Sequence, residues 1–278
     1  VLHTVLTEPT AHQRAVLDGV LAAAGAVVTM SETAHRRLLT GYRVDPAKVS
    51  VIAHGAPEQS GPVPVPTVNQ APGDLDLPTE TPTVLTWGLL GPGKGIEWGI
   101  EAMAHLKDLR PSIRYVVAGQ THPKVLLHQG EEYRQGLQRR IEHRSLTGSV
   151  RLDGRYLDTL TLGALVAAAD VVLLPYDSTE QVTSGVLIEA VAAGKPVVAT
   201  RFPHAVELLS GGAGIVVPHR DPVSIAEGLR RVITSPELAA SMSRAAVAAA
   251  PDLRWSAVAK QYRFLAAQLI ARAGEVAA

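Results

Sequence analysis

The sequence predicts an α/β protein with a doubly wound parallel sheet, that is, a sheet covered by helices on both faces. Over residues 84 to 233, short apolar and β-branched runs alternate with longer stretches of helical periodicity, as in parallel strands joined by crossover helices. The chain has 278 residues, of which 46% are hydrophobic and 19% are charged, enough to bury one large or two modest cores.

Six strand and helix units follow one another in this region. The predicted strands are mainly aliphatic runs at 84–87, 115–118, 150–152, 171–174, 197–200 and 215–217. The predicted helices lie near 95–109, 131–144, 159–169, 184–193, 204–209 and 222–233. Because ligands of such sheets bind outside the carboxyl ends of the strands, we expect a site where these strands end.

Upstream of residue 58 a shorter α/β run is predicted. It has a helix near 10–24, a strand near 26–28, a helix near 32–40 that Ser31 caps, and a strand near 49–52. Two strands cannot close a core, so we interpret residues 1–57 as the C-terminal part of an N-terminal domain whose upstream part is missing.

The remaining divisions follow from composition and periodicity. Residues 58–80 are rich in Pro, Gly and polar residues and are predicted to be a linker. Residues 81–250 are predicted to form the main, ligand-binding domain. In residues 251–278 the apolar side chains recur at helical spacing, so we expect a long amphipathic helix that packs back on the N-terminal domain.

Composition and charge exclude several classes of protein. Formal net charge is zero, so no nucleic-acid partner is predicted, while peripheral membrane contact stays open. Asp18 and Asp170 interrupt the most apolar windows, so no transmembrane segment is predicted. Cysteine is absent, and we expect a cytoplasmic protein. The chain starts without Met and without the basic start of a signal peptide, so we expect an upstream segment of roughly 80 to 120 residues.

A glycine-rich loop after the first strand of the main domain predicts a phosphate site. Residues 88–96 read GLLGPGKGI, which fits G-x-x-x-x-G-K but has Gly95 where a phosphate loop of NTPases has Ser or Thr. Lys94 directly precedes a helix N-terminus, where free amides and the helix dipole favour an anion. The alternative is a glycine-rich turn with a solvated lysine.

A second polar loop opens the helix predicted near 184–193. The amides of Ser184, Gly185 and Val186 could bind phosphate or sugar oxygens, and Glu189, one turn into the helix, could accept hydrogen bonds from vicinal hydroxyl groups such as those of a ribose. The alternative is that Glu189 is a partly buried carboxylate with a structural, capping role.

Eight stretches, in this order and spacing, resemble retaining, nucleotide-sugar-dependent glycosyltransferases of the GT-B fold, the family of sucrose synthases and bacterial phosphatidylinositol mannosyltransferases. They read LHT, VIAHGAP, GLLGPGKGIEWGIEAM, YVVAGQTH, VRLDGRY, AADVVLLPY, SGVLIEAVAAGKPVVAT and AVELLSGGAGIVVPHRDP. The resemblance implies a complete Rossmann-like donor domain at 81–250 and the incomplete tail of a Rossmann-like acceptor domain at 1–57. It also implies transfer of a hexose from a nucleoside-diphosphate sugar, with retention of anomeric configuration, to an unknown saccharide, lipid or small-molecule acceptor. No cofactor and no metal are expected.

The resemblance also assigns roles to residues of this chain. Lys94 would bind the donor diphosphate, Glu189 the ribose, and His3 would lie across the interdomain cleft near the donor sugar. The predicted catalytic residues are His3, Lys94, Gln181 and Glu189. The predicted donor-binding residues are Gly91, Gly93, Lys94, Gly119, Asp153, Tyr176, Gln181, Ser184, Gly185, Val186 and Glu189.

Two departures from the family pattern concern charge. Leu89 stands where the family usually has an Arg that shares the diphosphate charge, and Gln181 stands where it has the first Glu of a Glu-x7-Glu motif. An amide cannot supply negative charge to an oxocarbenium-like transition state. We interpret both departures as features of a subfamily and not as inactivation. Two alternatives stay open: a non-catalytic nucleotide-sugar-binding fragment, which the missing upstream strands favour, and, less favoured because of Gly95, a P-loop NTPase.

Overall fold

The structure, a computed structural model, describes residues 1–58 and 81–277. The linker predicted at 58–80 therefore lies, apart from Glu58, outside the described residues. The chain forms a short α/β unit before residue 58, a larger α/β unit after residue 81, and a final helix. Among the described helices, none combines the length and the apolar character that a membrane crossing requires.

The larger unit is built on one sheet of six parallel strands. These strands are β3 (Thr83–Trp87), β4 (Arg114–Ala118), β5 (Val150–Asp153), β6 (Val171–Leu174), β7 (Val197–Thr200) and β8 (Gly214–Val217). Their order across the sheet is β5-β4-β3-β6-β7-β8, which is the strand order of a Rossmann fold. All six lie where the sequence predicts them, within one residue at either end.

Both faces of this sheet are buried. Successive residues of a strand point to opposite faces, so Tyr115 and Val117 of β4 belong to one core and Val116 and Ala118 to the other. Every residue of β3, β6 and β7 is buried. This double burial explains why the strands read as continuous apolar runs in the sequence.

Helices of the larger unit cover these two faces. They are α3 (Ile96–Ala104), α4 (Pro123–Gln129), α5 (Glu132–His143), α6 (Thr159–Ala168), α7 (Gly185–Ala192), α8 (Pro203–Leu208), α9 (Pro222–Thr234) and α10 (Pro236–Leu253). The sequence reasoning did not predict α4 and α10. The helix expected near 95–109 ends earlier, at Ala104, and the final helix expected from residue 251 begins at Trp255 as α11 (Trp255–Ala277), because α10 continues to Leu253.

The N-terminal unit contains two short parallel strands, β1 (Val27–Thr29) and β2 (Val49–Val51), and two helices, α1 (Ala11–Ala23) and α2 (Glu32–Gly41). Leu2 extends this small sheet by a bridge to Thr29. Its core is completed by other parts of the chain, since Val182 packs into one cluster, and Val258 of α11 buries Val28 and Ile52.

Two glutamates of the larger unit bind the N-terminal unit. Glu180 accepts hydrogen bonds from the Thr7 N–H at 3.0 Å and the Thr7 hydroxyl at 2.8 Å, and it pairs with Arg37 at 2.9 Å. Glu207 accepts from the N–H groups of Glu32 and Thr33, both at 2.8 Å, so it caps α2 from outside. Charged contacts thus join the two units.

Candidate functional site

The chain order of the strands reverses between β3 and β6, which lie side by side at the centre of the main sheet. In open parallel sheets a crevice forms at such a switch point, outside the carboxyl ends of the two strands. Here the loop after β3 (residues 88–95), the loop after β6 (residues 175–184) and the start of α7 border the crevice.

The two loops pack tightly against each other. Gly95 has φ +64°, and a side chain at this position would overlap the Pro175 carbonyl oxygen. The Asp177 N–H donates to the Gly93 carbonyl oxygen at 3.0 Å. Only glycine meets both demands at residue 95, the left-handed backbone and the close approach. The contact fixes the position of Lys94, which lies between these two glycines.

Lys94 is half-buried in the crevice. Its Nζ lies 4.6 Å from the centroid of the Tyr176 ring, a cation–π contact. Within residues 1–58 and 81–277 its ammonium group has no hydrogen bond and no carboxylate partner. Burial lowers the pKa of Lys94, because desolvation disfavours the charged form. An anion that entered the crevice would therefore be stabilised by a cation that lacks a counterion.

Helix α7 presents its N-terminus at the same crevice. Ser184 caps the helix by accepting from the Leu187 N–H at 3.2 Å, and the first backbone bond of the helix runs from the Ile188 N–H to the Ser184 carbonyl oxygen. The N–H groups of Gly185 and Val186 precede this bond, so the helix itself leaves them unpaired. Together with the helix dipole they favour a negatively charged ligand.

His204 holds the residue that caps α7. It is 3% exposed, and its Nδ1 accepts a hydrogen bond from the Ser184 N–H at 2.9 Å. Burial lowers the pKa of His204 to about 4, so the ring is neutral at pH 7 and can act as an acceptor. The sequence reasoning missed this residue, because His204 lies on α8 and reaches Ser184 only through the tertiary fold.

Glu189 lies in the second turn of α7 and contacts β3. The Trp87 indole N–H donates to Glu189 Oε2 at 3.2 Å. A side chain at Gly88 would lie 3.6 Å from a Val186 methyl group, so the β3 loop and the first turn of α7 are direct neighbours. Trp87 was predicted as a strand residue only, and its bond to Glu189 was missed.

The crevice brings together many of the predicted donor-binding residues. They are Gly93, Lys94, Tyr176, Ser184, Gly185, Val186 and Glu189. Burial raises the pKa of Tyr176 to about 12, so the phenol that underlies Lys94 is neutral. The alternative that Glu189 caps its helix does not hold in the structure, since the cap is Ser184 and the Glu189 partner is Trp87.

The other predicted residues lie around this crevice or apart from it. A side chain at Gly91 would press on Val125, and one at Gly119 would overlap the Gly88 carbonyl oxygen, so both glycines allow loops to pack. Asp153 ends β5, and its carboxylate pairs with Arg155 at 2.7 Å, which lowers its pKa.

Two predicted catalytic residues, Gln181 and His3, are not among the residues whose contacts were described above. Gln181 donates from its side chain to the Thr183 carbonyl oxygen at 3.2 Å, in the loop before α7. His3 is exposed and follows the bridge of Leu2 to Thr29, at the carboxyl end of β1. Within the described ranges His3 makes no hydrogen bond or ion pair, and no contact joins it to Lys94 or Glu189.

A Rossmann-like unit that places a half-buried lysine, the first amides of a helix and a carboxylate at its switch point has the character of a domain that binds a phosphorylated nucleotide. Comparison with known proteins narrows this class. Residues 68–248 match the model of the family described as "Glycosyl transferases group 1", and the chain belongs to that family.

Individual relatives agree with the family. D-inositol 3-phosphate glycosyltransferase of Corynebacterium glutamicum (strain R) is 31% identical over 238 residues, which cover 81% of this chain and 52% of that protein. Glycogen synthase of Mycobacterium tuberculosis (strain CDC 1551 / Oshkosh) is 29% identical over 169 residues, 60% of this chain and 37% of that protein. The chain thus spans about half the length, or less, of the curated relatives it matches.

Solved structures show the same fold. Sucrose-phosphate synthase from Thermosynechococcus elongatus superimposes with a TM-score of 0.77 at 24% identity, covering 95% of this chain and 63% of that one. Anabaena HepE, solved in complex with UDP, superimposes with a TM-score of 0.78 at 20% identity, covering 96% and 71%. The chain therefore has the GT-B type of α/β architecture.

Proposed function

We propose that this chain forms the donor-binding part of a retaining hexosyltransferase that uses a nucleoside-diphosphate sugar. The observation that carries the proposal is the half-buried ammonium group of Lys94, which has no counterion in the described residues and lies at the same crevice as the free amides of α7. A diphosphate supplies the charge and the acceptor oxygens that this arrangement lacks.

In this proposal each group at the crevice has a separate task. Lys94 and the N–H groups of Gly185 and Val186 bind the diphosphate, and they stabilise the charge that develops on it as the bond to the sugar breaks. Glu189 accepts hydrogen bonds from the ribose hydroxyl groups. We propose that no resident cofactor takes part and that the protein acts in the cytoplasm.

The two departures from the family pattern shape the proposal. Leu89 is 45% exposed and offers the diphosphate no charge, so Lys94 carries more of the electrostatic binding than it would beside an arginine. Gln181 offers an amide, which can hydrogen-bond a sugar hydroxyl but leaves the transition state without a second carboxylate. We expect tight donor binding to depend on Lys94 and turnover to be slow.

The relatives support the choice of ligand. HepE was solved with UDP, with UDP and glucose, and with UDP-glucose, and we extend this class of donor to the present chain. The acceptor is a saccharide, lipid or small molecule that the crevice does not define. Because the chain spans about half of its curated relatives, binding of a nucleotide sugar without transfer is the second candidate.

Hydrolysis of ATP by a phosphate-loop mechanism is not favoured. The residue after the lysine would have to offer a hydroxyl group to magnesium, but a side chain at Gly95 would overlap the Pro175 carbonyl oxygen. The loop of this chain therefore has no room for the Ser or Thr of that motif.

Calorimetric titration of the chain with UDP, GDP and ADP, each beside its monophosphate and nucleoside, tests the proposal. We expect at least one diphosphate to bind more than tenfold more tightly than its nucleoside. We also expect its sugar conjugate to release the diphosphate when a cell extract that contains acceptors is added. Binding that does not depend on the phosphates would contradict the proposal, whereas phosphate-dependent binding without transfer would select the second candidate.

A further inference from the structure

Trp87 is the last residue of β3 and lies at the switch point, with its indole ring directed toward α7. The ring is 5% exposed and packs in the same core as Leu187 and Ile188 of that helix. Its N–H is the one polar group of the side chain, and it reaches Glu189 Oε2 at 3.2 Å. A buried indole N–H without a partner would be costly, so this bond also fixes the rotamer of Trp87.

The bond has a consequence for the carboxylate. Glu189 is half-buried, and within the described part of the chain Trp87 is its one hydrogen-bond partner. Oε2 accepts the bond from the indole, while Oε1 accepts none from residues 1–58 or 81–277. Because the indole is neutral, it orients the carboxylate but leaves its negative charge uncompensated. A lysine or arginine in the same place would neutralise that charge.

We propose that Trp87 is a positioning residue that orients Glu189 toward the two hydroxyl groups of the donor ribose and so makes the site selective for ribonucleotides. The inference rests on the function proposed above. It goes further because it places the selectivity in a side chain that does not touch the nucleotide. A carboxylate with one oxygen held and the other free has fewer rotamers to lose when a diol binds, which favours binding.

The test compares two ligands and two variants. The ligands are the ribo form and the 2′,3′-dideoxy form of the nucleoside diphosphate that the unmodified chain binds best. Trp87→Phe keeps a buried ring but removes the N–H. Trp98→Phe is the matched control, since the Trp98 indole N–H also donates to a carboxylate, Asp177 Oδ1 at 2.8 Å, but one that does not contact Glu189.

We expect Trp87→Phe to weaken binding of the ribo form by about five- to tenfold, because the freed Glu189 side chain would then have to be ordered when the ligand binds, and to leave the dideoxy form unchanged. Trp98→Phe should leave the ratio of the two affinities as it is in the unmodified chain. An unchanged ratio for Trp87→Phe, with measurable binding of both ligands, overturns the inference and leaves the proposed function standing. Failure of the unmodified chain to bind any nucleoside diphosphate overturns the proposed function itself.

A measurement on the unmodified chain covers the case in which Trp87→Phe does not fold. The chain has three tryptophans, so a nitrogen-15-labelled sample gives three indole N–H signals, and Trp98→Phe together with Trp255→Phe identifies the one from Trp87 by elimination. The Trp87 signal should shift when the ribo form binds and stay in place with the dideoxy form. Equal shifts with both ligands, or none with either, overturn the inference.

Discussion

Two lysines of the larger unit are buried to a similar extent but differ in the partners of their ammonium groups. Replacing each by methionine therefore separates a ligand-binding lysine from a structural one. The ammonium group of Lys94 lies over the Tyr176 ring and has no carboxylate partner among the residues that the structure describes. Lys195 instead donates to the carbonyl oxygens of Ala167 and Ala169, at 2.6 Å and 2.8 Å, where α6 ends. Burial lowers the pKa of both side chains.

We expect Lys94→Met to weaken binding of the nucleoside diphosphate by about 2 to 3 kcal/mol, or roughly 30- to 150-fold, through loss of a charge-assisted contact. The melting temperature of the ligand-free protein should not fall, because methionine fills the same space without a charge to desolvate. Binding of the nucleoside alone should be unaffected.

Lys195→Met should do the reverse. Two carbonyl oxygens at the end of α6 lose a charged donor, which we expect to cost about 2 to 4 kcal/mol of folding free energy and, for a chain of this size, about 5 to 10 °C in melting temperature. Affinity for the nucleoside diphosphate should stay within twofold of the unmodified chain.

Calorimetry for the affinities and differential scanning calorimetry for the melting temperatures measure both halves of the comparison. Equal affinity of Lys94→Met and the unmodified chain for the diphosphate would show that Lys94 does not bind the phosphates. A melting temperature of Lys94→Met as low as that of Lys195→Met would show that Lys94 is a structural residue.

Three further predictions concern the loops and the contact between the units. His204→Leu should lower both stability and nucleotide affinity, by about 1 to 3 kcal/mol in stability for the unpaired Ser184 N–H, and His204→Asn should restore much of both. The lowered pKa keeps His204 neutral in the folded protein, so between about pH 6.5 and pH 4 unfolding takes up a proton. The free energy of unfolding should therefore fall by up to about 3 kcal/mol as pH drops through this range. Urea titrations should show a flatter pH dependence for His204→Asn. Gly95→Ala should abolish nucleotide binding and lower the melting temperature more than Gly93→Ala, since a side chain at Gly93 meets no atom within 4 Å; equal effects would show that backbone strain alone matters. Glu207→Ala should reduce the free energy of unfolding by about 1 to 2 kcal/mol, because two N–H groups at the start of α2 lose their cap, and an unchanged urea midpoint would speak against that contact.

Much of the fold follows from local patterns in the sequence. The six strands of the main sheet are buried on both faces and therefore form apolar runs that are easy to recognise. Helix α10 was missed because residues 236–253 are rich in alanine, which gives little contrast between an apolar and a polar face. Helix α4 was missed because it spans only seven residues and starts at a proline.

The candidate site divides in the same way. Lys94 and the amides of α7 belong to contiguous motifs whose chemistry does not depend on distant residues, so the sequence predicts them. The bond from Trp87 to Glu189 joins residues 102 positions apart and exists because the sheet places β3 beside β6, the strand that leads into α7. Pairings of this kind follow from the strand order, which local periodicity does not reveal.

The return of α11 to the N-terminal unit has a consequence for how the protein is made. Val258 covers Val28 and Ile52. Beside this contact, Ala56 at the end of the N-terminal unit exchanges backbone hydrogen bonds with Leu253 and Trp255, where α10 ends and α11 begins. A ribosome adds roughly 5 to 20 residues per second, so Val258 appears about 10 to 40 s after Ile52. During that interval the sheet of the larger unit can form while the apolar side of the N-terminal unit is still uncovered. The N-terminal unit, which emerges before the larger unit, therefore finishes folding after it.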